Sequence, residues 1–140
     1  MIKFSCLKIG GEVMMTPKKE KYLMEIYLNI NEEGYTRISQ LAKSLQVSVP
    51  AVSKMVKKLY EEEYIVFQRY GMITLTKKGR AVCEELLNKR IVLSNFLRFI
   101  GIDEEHLEEE VKAIEHSMSF NVIIQIERFL TNNQMLGKNR

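Results

Sequence analysis

From residue 16 onward, apolar positions recur every three or four residues, which is the spacing of helices that bury one face. Thr16 and Pro17 mark a first helix start, because a capping hydroxyl precedes a proline at the first helical position. Thr36 and Ser48 are the predicted caps of a second and a third helix. A tight turn at residues 46–47 separates these two helices. The predicted buried stripes are Leu23, Ile26, Tyr27 and Ile30, then Ile38, Leu41, Ala42 and Leu45, then Val52, Met55, Val56 and Leu59.

The pattern changes after the acidic residues 61–63. Residues 64–68 and 72–76 are rich in β-branched and aromatic side chains, and Arg69-Tyr70-Gly71 lies between them. Two such runs about a short Gly-containing turn predict a β-hairpin. The order helix, helix, tight turn, helix, hairpin is that of a winged helix-turn-helix.

Three further helices are predicted after the hairpin. Thr76 caps a long helix over residues 77–99, an acidic run from Asp103 opens the next helix, and Ser119 caps the last. The fold class is therefore mainly α, with the winged helix-turn-helix at the N-terminal end. The predicted buried positions are Val82, Leu86, Leu93, Leu97 and Ile100 on the long helix, and Val122, Ile126, Phe129 and Leu130 on the last.

Charge is distributed unevenly along the chain. Residues 16–80 carry 12 Lys or Arg against 7 Asp or Glu, whereas residues 81–140 carry 7 against 10. A basic N-terminal half predicts contact with a polyanion. No apolar run approaches the roughly 18 residues of a membrane span, so no membrane partner is expected. Cys6 and Cys83 lack metal-site spacing and are expected to be free thiols in a reducing cytoplasm.

The third helix has one apolar face and one face of small, hydroxyl-bearing and cationic side chains. Small residues allow close approach to a major groove, hydroxyls can bond bases or phosphates, and lysines neutralise phosphates. We therefore predict binding to double-stranded DNA, with a solvated charged face as the alternative. Arg69 at the hairpin tip is predicted to reach a flanking phosphate, and Thr36 and Arg37 to contact the DNA backbone. The candidate residues around the third helix are Ser48, Pro50, Ala51, Ser53, Lys54, Lys57 and Lys58.

Several stretches of the chain resemble one known family. They are E-E-G-Y-T-R-I-S-Q-L-A-K-S-L-Q-V-S-V-P-A-V-S-K-M-V-K-K-L, E-Y-I, L-T-K-K-G, F-L-R-F-I-G-I-D-E-E and I-E-H-S-M-S-F. Together they resemble the metal-dependent repressors of the diphtheria toxin repressor type, especially the two-domain manganese transport regulators, over about residues 16–130. The resemblance implies a homodimer that binds operator DNA, held together by a C-terminal helical dimerisation domain. It also implies a short form without a third, SH3-like domain.

The predicted domain organisation has four parts. Residues 1–15 are an N-terminal extension, either native or lying upstream of a true start at Met14 or Met15. Residues 16–78 form the winged helix-turn-helix domain, residues 79–132 the linker helix and dimerisation domain, and residues 133–140 a frayed tail.

The resemblance also implies a site for manganese or iron, with ligands from the first helix, the linker helix and the helix after it. Only Glu115 and His116 match the implied ligands. Two acids of the first helix, a histidine of the linker helix and an acid of the following helix are replaced by Lys21 and Met24, by Arg90, and by Lys112.

Two ligands do not make a site for a hard divalent ion, which takes about six. The replacements Lys21, Arg90 and Lys112 would repel a dication, and we expect them to pair with Glu115 so that an internal cation substitutes for the metal. The sequence therefore predicts no cofactor and metal-independent DNA binding.

Three alternatives to that prediction stay open. One is a solvated cluster of charges without a regulatory role. The others are a relocated metal site and a pocket for a small organic ligand; an enzyme is not expected, because no nucleophile–base pair or phosphate loop is present. The candidate residues are His106, Glu109, Glu110 and His116 for the relocated site, and Phe96, Phe99, Phe120 and Phe129 for the pocket.

Overall fold

The computed structural model describes residues 15–138, with side chains through residue 133, so most of the predicted N-terminal extension lies outside the described residues. Within this range the chain folds as two compact units that meet in sequence at residues 84 and 85, called here the N-terminal and C-terminal units. The helices are α1 (Pro17–Asn29), α2 (Ile38–Leu45), α3 (Val49–Glu61), α4 (Lys77–Phe99), α5 (Glu104–Ile114) and α6 (Phe120–Lys138). The strands are β1 (Thr36–Arg37), β2 (Ile65–Phe67) and β3 (Met72–Leu75).

Helices α1 and α3 begin at the predicted caps, and the first three helices pack largely as their sequence predicts. The Thr16 hydroxyl accepts a hydrogen bond from Lys19 N at 3.2 Å, and the Ser48 hydroxyl accepts one from Ala51 N at 3.3 Å. Gln46 adopts a left-handed conformation with φ of 57°, which ends α2 and turns the chain into α3. The core of the N-terminal unit includes the buried residues Leu23, Ile26, Leu41, Val52, Val56 and Leu59, with Tyr22 and Met24 as buried positions outside the predicted stripe.

The hairpin is part of a three-stranded antiparallel sheet with the order β1-β3-β2. Strand β3 pairs with β2 as predicted, and also with β1, where Thr36 lies opposite Ile73. The prediction that Thr36 caps α2 is wrong, because Thr36 is a strand residue and Arg37 occupies the position before the helix. The sheet thereby ties the start of α2 to the hairpin, called here the wing.

The C-terminal unit has its own core around the second half of α4. Val92, Leu93 and Leu97 pack with Leu107, Val111 and Ile123. On α6, the buried positions are Ile123 and Leu130, whereas Val122 and Phe129 are exposed, contrary to the prediction. Ile100 is also exposed rather than buried. Helix α6 continues through Lys138, where the sequence predicted a frayed tail from residue 133.

No helix in the described part of the chain is long and apolar enough to cross a membrane.

Candidate DNA interface and metal centre

Helix α3 presents two distinct faces. Val52, Met55, Val56 and Leu59 are buried in the N-terminal unit, so the opposite face is free to meet a ligand. Its first turn is built from Ser48, Val49 and Pro50, which cap and start the helix without a bulky polar side chain. The residues predicted for DNA contact around α3 are all exposed, namely Ser48, Pro50, Ala51, Ser53, Lys54, Lys57 and Lys58.

The wing tip, residues Arg69–Gly71, is a three-residue turn between β2 and β3. Arg69 is exposed there, which is compatible with the predicted phosphate contact. Tyr70 has φ of 62° and is followed by Gly71 with φ of 73°, so two successive residues are left-handed. Glycine tolerates this conformation, but for tyrosine it costs about 1–2 kcal/mol. The wing tip therefore holds a large aromatic residue in a strained backbone position.

The two residues predicted to contact the DNA backbone from the start of α2 differ in accessibility. Thr36 is only 3% exposed, so it cannot reach a phosphate and is not retained as a DNA-contact candidate. Arg37 is exposed, but its guanidinium lies 5.3 Å from the centroid of the Tyr35 ring. Its Nη1 donates a hydrogen bond to the carbonyl oxygen of Tyr70. Arg37 thus connects β1 to the wing tip.

Glu115 and Arg90 form a bidentate ion pair inside the C-terminal unit. Arg90 Nε donates to Glu115 Oε2 at 2.8 Å, and Arg90 Nη2 donates to Oε1 at 3.4 Å. Glu115 is 7% exposed, whereas the Arg90 side chain is 39% exposed, so the carboxylate is the buried partner. His116 Nε2 lies 3.4 Å from Glu115 Oε1. A guanidinium is therefore bonded to both oxygens of the one acid that matches the family's ligand set.

The other two predicted cations occupy different places. Lys112 pairs with Glu108, with Nζ 2.9 Å from Oε1, on the exposed surface of α5. The prediction that Lys112 is a partner of Glu115 is therefore not supported: its side chain leaves the helix toward Glu108, one turn earlier. Lys21 is an exposed residue of α1 in the N-terminal unit, and Met24 of the same helix is buried.

Two buried charged residues of α4 are not among the site residues that the sequence predicted. Glu85 is 1% exposed and Lys89, one helical turn later, is 5% exposed. Lys89 Nζ donates to the carbonyl oxygen of Met118 at 3.0 Å and lies 5.3 Å from the centroid of the Phe120 ring. Their spacing of four residues was the available signal, since it places them on one helix face.

Of the residues that match the implied metal ligands, Glu115 and His116 lie together in the C-terminal unit. Among the described residues, no group of three or more His, Cys, Asp or Glu side chains is placed to hold a metal ion. His106, the first residue of the alternative relocated site, pairs instead with Asp103 at 3.1 Å between Nδ1 and Oδ1. Both Glu115 oxygens already accept hydrogen bonds from a cation, which a dication would have to displace.

An open apolar groove lies on the C-terminal unit. Phe99 and Phe129 meet edge to face beside it, with ring centroids 5.5 Å apart at 86°. Phe96 and Phe129, which the sequence placed in a ligand pocket, line a groove that is not enclosed. The lining residues are Phe96, Asn121, Val122, Gln125, Ile126 and Phe129.

Two family models match successive parts of the chain. The family model for the iron dependent repressor N-terminal DNA binding domain matches residues 14–73, and that for the iron dependent repressor metal binding and dimerisation domain matches residues 76–135. The chain belongs to the iron dependent repressor family. This confirms the resemblance and the fold class, a winged helix-turn-helix followed by a helical dimerisation domain. A protein of this family is a transcriptional regulator that binds operator DNA as a homodimer, and it is not an enzyme.

Individual members of the iron dependent repressor family are similar over most of this chain. The HTH-type transcriptional regulator MntR of Geobacillus kaustophilus is 42% identical over 113 residues, which are 81% of this chain and 80% of MntR. The crystal structure of ScaR with bound Zn²⁺ has a TM-score of 0.74 at 31% identity, covering 82% of this chain. The manganese regulator SloR has a TM-score of 0.67 at 33% identity, covering 84% of this chain. The chain spans about half the length of these two structures, 54% of ScaR and 55% of SloR.

Proposed function

We propose that this member of the iron dependent repressor family is a repressor that binds its operator without a metal activator. The observation that carries the proposal is the bidentate bond from Arg90 to the buried Glu115 carboxylate. A charged, bidentate pair of this kind is a strong, directional interaction. It supplies a positive charge to Glu115 permanently, where a metal-activated relative receives one only when the ion binds.

Charge at the remaining positions supports the same proposal. The family resemblance implies ligands where this chain has Lys21, Met24 and Lys112. Cations repel a second cation, and a thioether is a poor ligand for manganese, which prefers oxygen donors. Several substitutions would be needed to restore the implied ligands. The proposed metal independence therefore rests on all of these positions together and not on one residue.

DNA binding itself rests on the exposed face of α3. In a dimer the two recognition helices address half-sites about 34 Å apart, one turn of B-DNA. Lys54, Lys57 and Lys58 supply charge for phosphates, but none of the exposed α3 residues proposed here is an Arg, Asn or Gln able to bond a base in bidentate fashion. We propose that sequence is recognised through Ser48 and Ser53 together with DNA shape.

The groove lined by Phe96, Val122, Ile126 and Phe129 is proposed to be part of the dimer interface. An open apolar face of this kind is typical of a surface that a second subunit covers. As a DNA-binding regulator, the protein is proposed to act in the cytoplasm.

The decisive experiment is fluorescence anisotropy with DNA from upstream of the protein's own gene. Affinity is measured in chelator and then with micromolar manganese, iron, cobalt or zinc. We expect DNA affinities that agree within about twofold across these conditions. A metal ion that does not favour the DNA-binding form of the protein over the other form leaves the equilibrium between them unchanged. A rise above about tenfold with manganese or iron, corresponding to about 1.4 kcal/mol, would overturn metal independence while leaving DNA binding intact.

A matched control restores the family's ligand types in the same chain. The double variant Arg90→His and Lys112→Glu, whose new donors belong to the same unit as Glu115 and His116, is expected to bind manganese by calorimetry and to gain metal-stimulated DNA binding. Wild type should show neither effect. Manganese binding to wild type with an affinity equal to that of the variant would contradict the proposal directly.

A further inference from the structure

Among the large hydrophobic side chains described in the N-terminal unit, the most exposed lies at the wing tip. Tyr70 is 84% exposed, yet its backbone is held at φ 62°, a conformation that favours glycine. The turn around it is closed by a hydrogen bond from Gln68 N to Met72 O at 2.7 Å. Strained, non-glycine positions of this kind concentrate at functional sites, where the surrounding structure maintains them.

Arg37 is the side chain that maintains the wing tip. Its backbone lies in β1 opposite Met72, next to the turn, and its guanidinium donates to the Tyr70 carbonyl oxygen. The guanidinium also stacks on Tyr35 at 5.3 Å, which limits its freedom from the other side. An arginine held at both ends in this way is a brace between β1 and the turn.

The wing belongs to the same unit as the recognition helix. Helix α3 packs against β2, so the wing projects from an element in direct contact with α3. Arg69 places a cation immediately before Tyr70. A phenol hydroxyl beside an arginine at a projecting turn is suited to a phosphate or sugar oxygen of DNA.

We propose that Tyr70 contacts operator DNA beside the α3 half-site, and that Arg37 is a positioning residue that holds Tyr70 and Arg69 in place. Arg37 therefore acts on DNA through the wing and not through a phosphate contact of its own. This inference rests on DNA binding by the N-terminal unit, but not on metal independence.

The role of Tyr70 is tested with two variants. Tyr70→Asn keeps a residue that adopts the left-handed conformation but removes the ring, and Tyr70→Phe removes only the hydroxyl. We expect each variant to weaken DNA binding by the dimer about a hundredfold, which is about tenfold for each of the two lost hydrogen bonds to a charged group. Tyr70→Asn should keep an unchanged or higher melting temperature, because asparagine tolerates the left-handed conformation. Because tyrosine is neutral, the slope of log affinity against log salt should not change.

Arg69→Ala is the matched charged variant. Each lost phosphate contact reduces the magnitude of the negative slope of log affinity against log salt by about 0.9. A dimer that loses two contacts should therefore show a reduction of about 1.8.

Wild-type affinity for Tyr70→Asn would overturn the assignment of Tyr70 as a DNA contact. All affinities are measured both in chelator and in manganese, so any metal response of the wild type is recorded separately.

The positioning role of Arg37 is tested by a double-mutant cycle. Arg37→Ala should weaken binding about tenfold in the native wing, and should have no further effect in an Arg69→Ala, Tyr70→Asn background. Amide exchange at Gly71 should also accelerate in Arg37→Ala, because the brace is gone. If Arg37→Ala still weakens binding and still lowers the salt slope in that background, Arg37 contacts phosphate directly and the inference is wrong.

Discussion

Replacing Arg90 by methionine is the most informative perturbation of the C-terminal unit. Methionine keeps the length and apolar stem of arginine but removes the guanidinium that donates to both Glu115 oxygens. Of the polar side chains described beside the buried carboxylate, His116 then remains, with Nε2 3.4 Å from Glu115 Oε1. Breaking a buried pair from one side costs roughly 3–5 kcal/mol, because an uncompensated charge is left behind.

The solvent exposure of Arg90 lowers the expected loss of stability, and it makes the loss different for substitutions of Arg90 and of Glu115. Arg90 is 39% exposed, so water already screens part of the interaction, and we expect a loss of about 2 kcal/mol for Arg90→Met. Glu115→Gln leaves the charge on the more exposed partner and keeps an acceptor, so it should cost about 1 kcal/mol. The double variant Arg90→Met, Glu115→Gln should be more stable than Arg90→Met alone.

The measurement is urea unfolding at one fixed protein concentration, since a dimer's apparent stability depends on concentration. Lys112→Ala is the matched control, because Lys112 forms an exposed pair with Glu108 on α5 and should change stability little. The same samples are tested for DNA affinity, where Arg90→Met should be weaker than Lys112→Ala. Indistinguishable results for the two variants in both assays would refute the role given to the Arg90–Glu115 pair.

Three further predictions concern the N-terminal unit. Gly79→Ala should destabilise by about 3 kcal/mol or more in thermal melts, because a Cβ would lie 2.0 Å from the Tyr64 carbonyl oxygen; near-native melting would contradict this. Thr76→Val should cost about 1–2 kcal/mol by urea unfolding, since the hydroxyl accepts from Gly79 N at 3.0 Å and donates to Glu63 O at 2.7 Å. Burial raises the pKa of Cys83 to about 12, so in a Cys6→Ser background the native thiol should stay unreactive toward a thiol reagent at pH 8 and react after denaturation.

The candidate metal centre shows how far residue identity alone can go. Comparison of Glu115 and His116 with Lys21, Arg90 and Lys112 was enough to predict that a cation pairs with Glu115. It could not determine which cation, since all three are long and flexible. Packing within the C-terminal unit brings Arg90 to Glu115, while Lys112 pairs with Glu108.

Local interactions explain what the sequence determined by itself. Helix starts at Thr16, Ser48 and Thr76 depend on hydrogen bonds within three residues, and the stripes of α1 to α3 repeat at the helical period. The winged helix-turn-helix and its exposed basic face therefore follow from neighbours in sequence. For the same reason, the α3 candidates lie on the exposed face as predicted, and their contact with DNA stays a prediction.

Only the tertiary structure decided the features that depend on distant partners. Thr36 is a strand residue because Ile73 offers it a ladder partner, and nothing near Thr36 in sequence reveals this. Helix α6 is apolar on more than one face, so its composition could not tell that Ile123 faces the unit's own core while Val122 lies in the open groove. One residue along a helix is a rotation of about 100°, and long-range packing alone selects that angle.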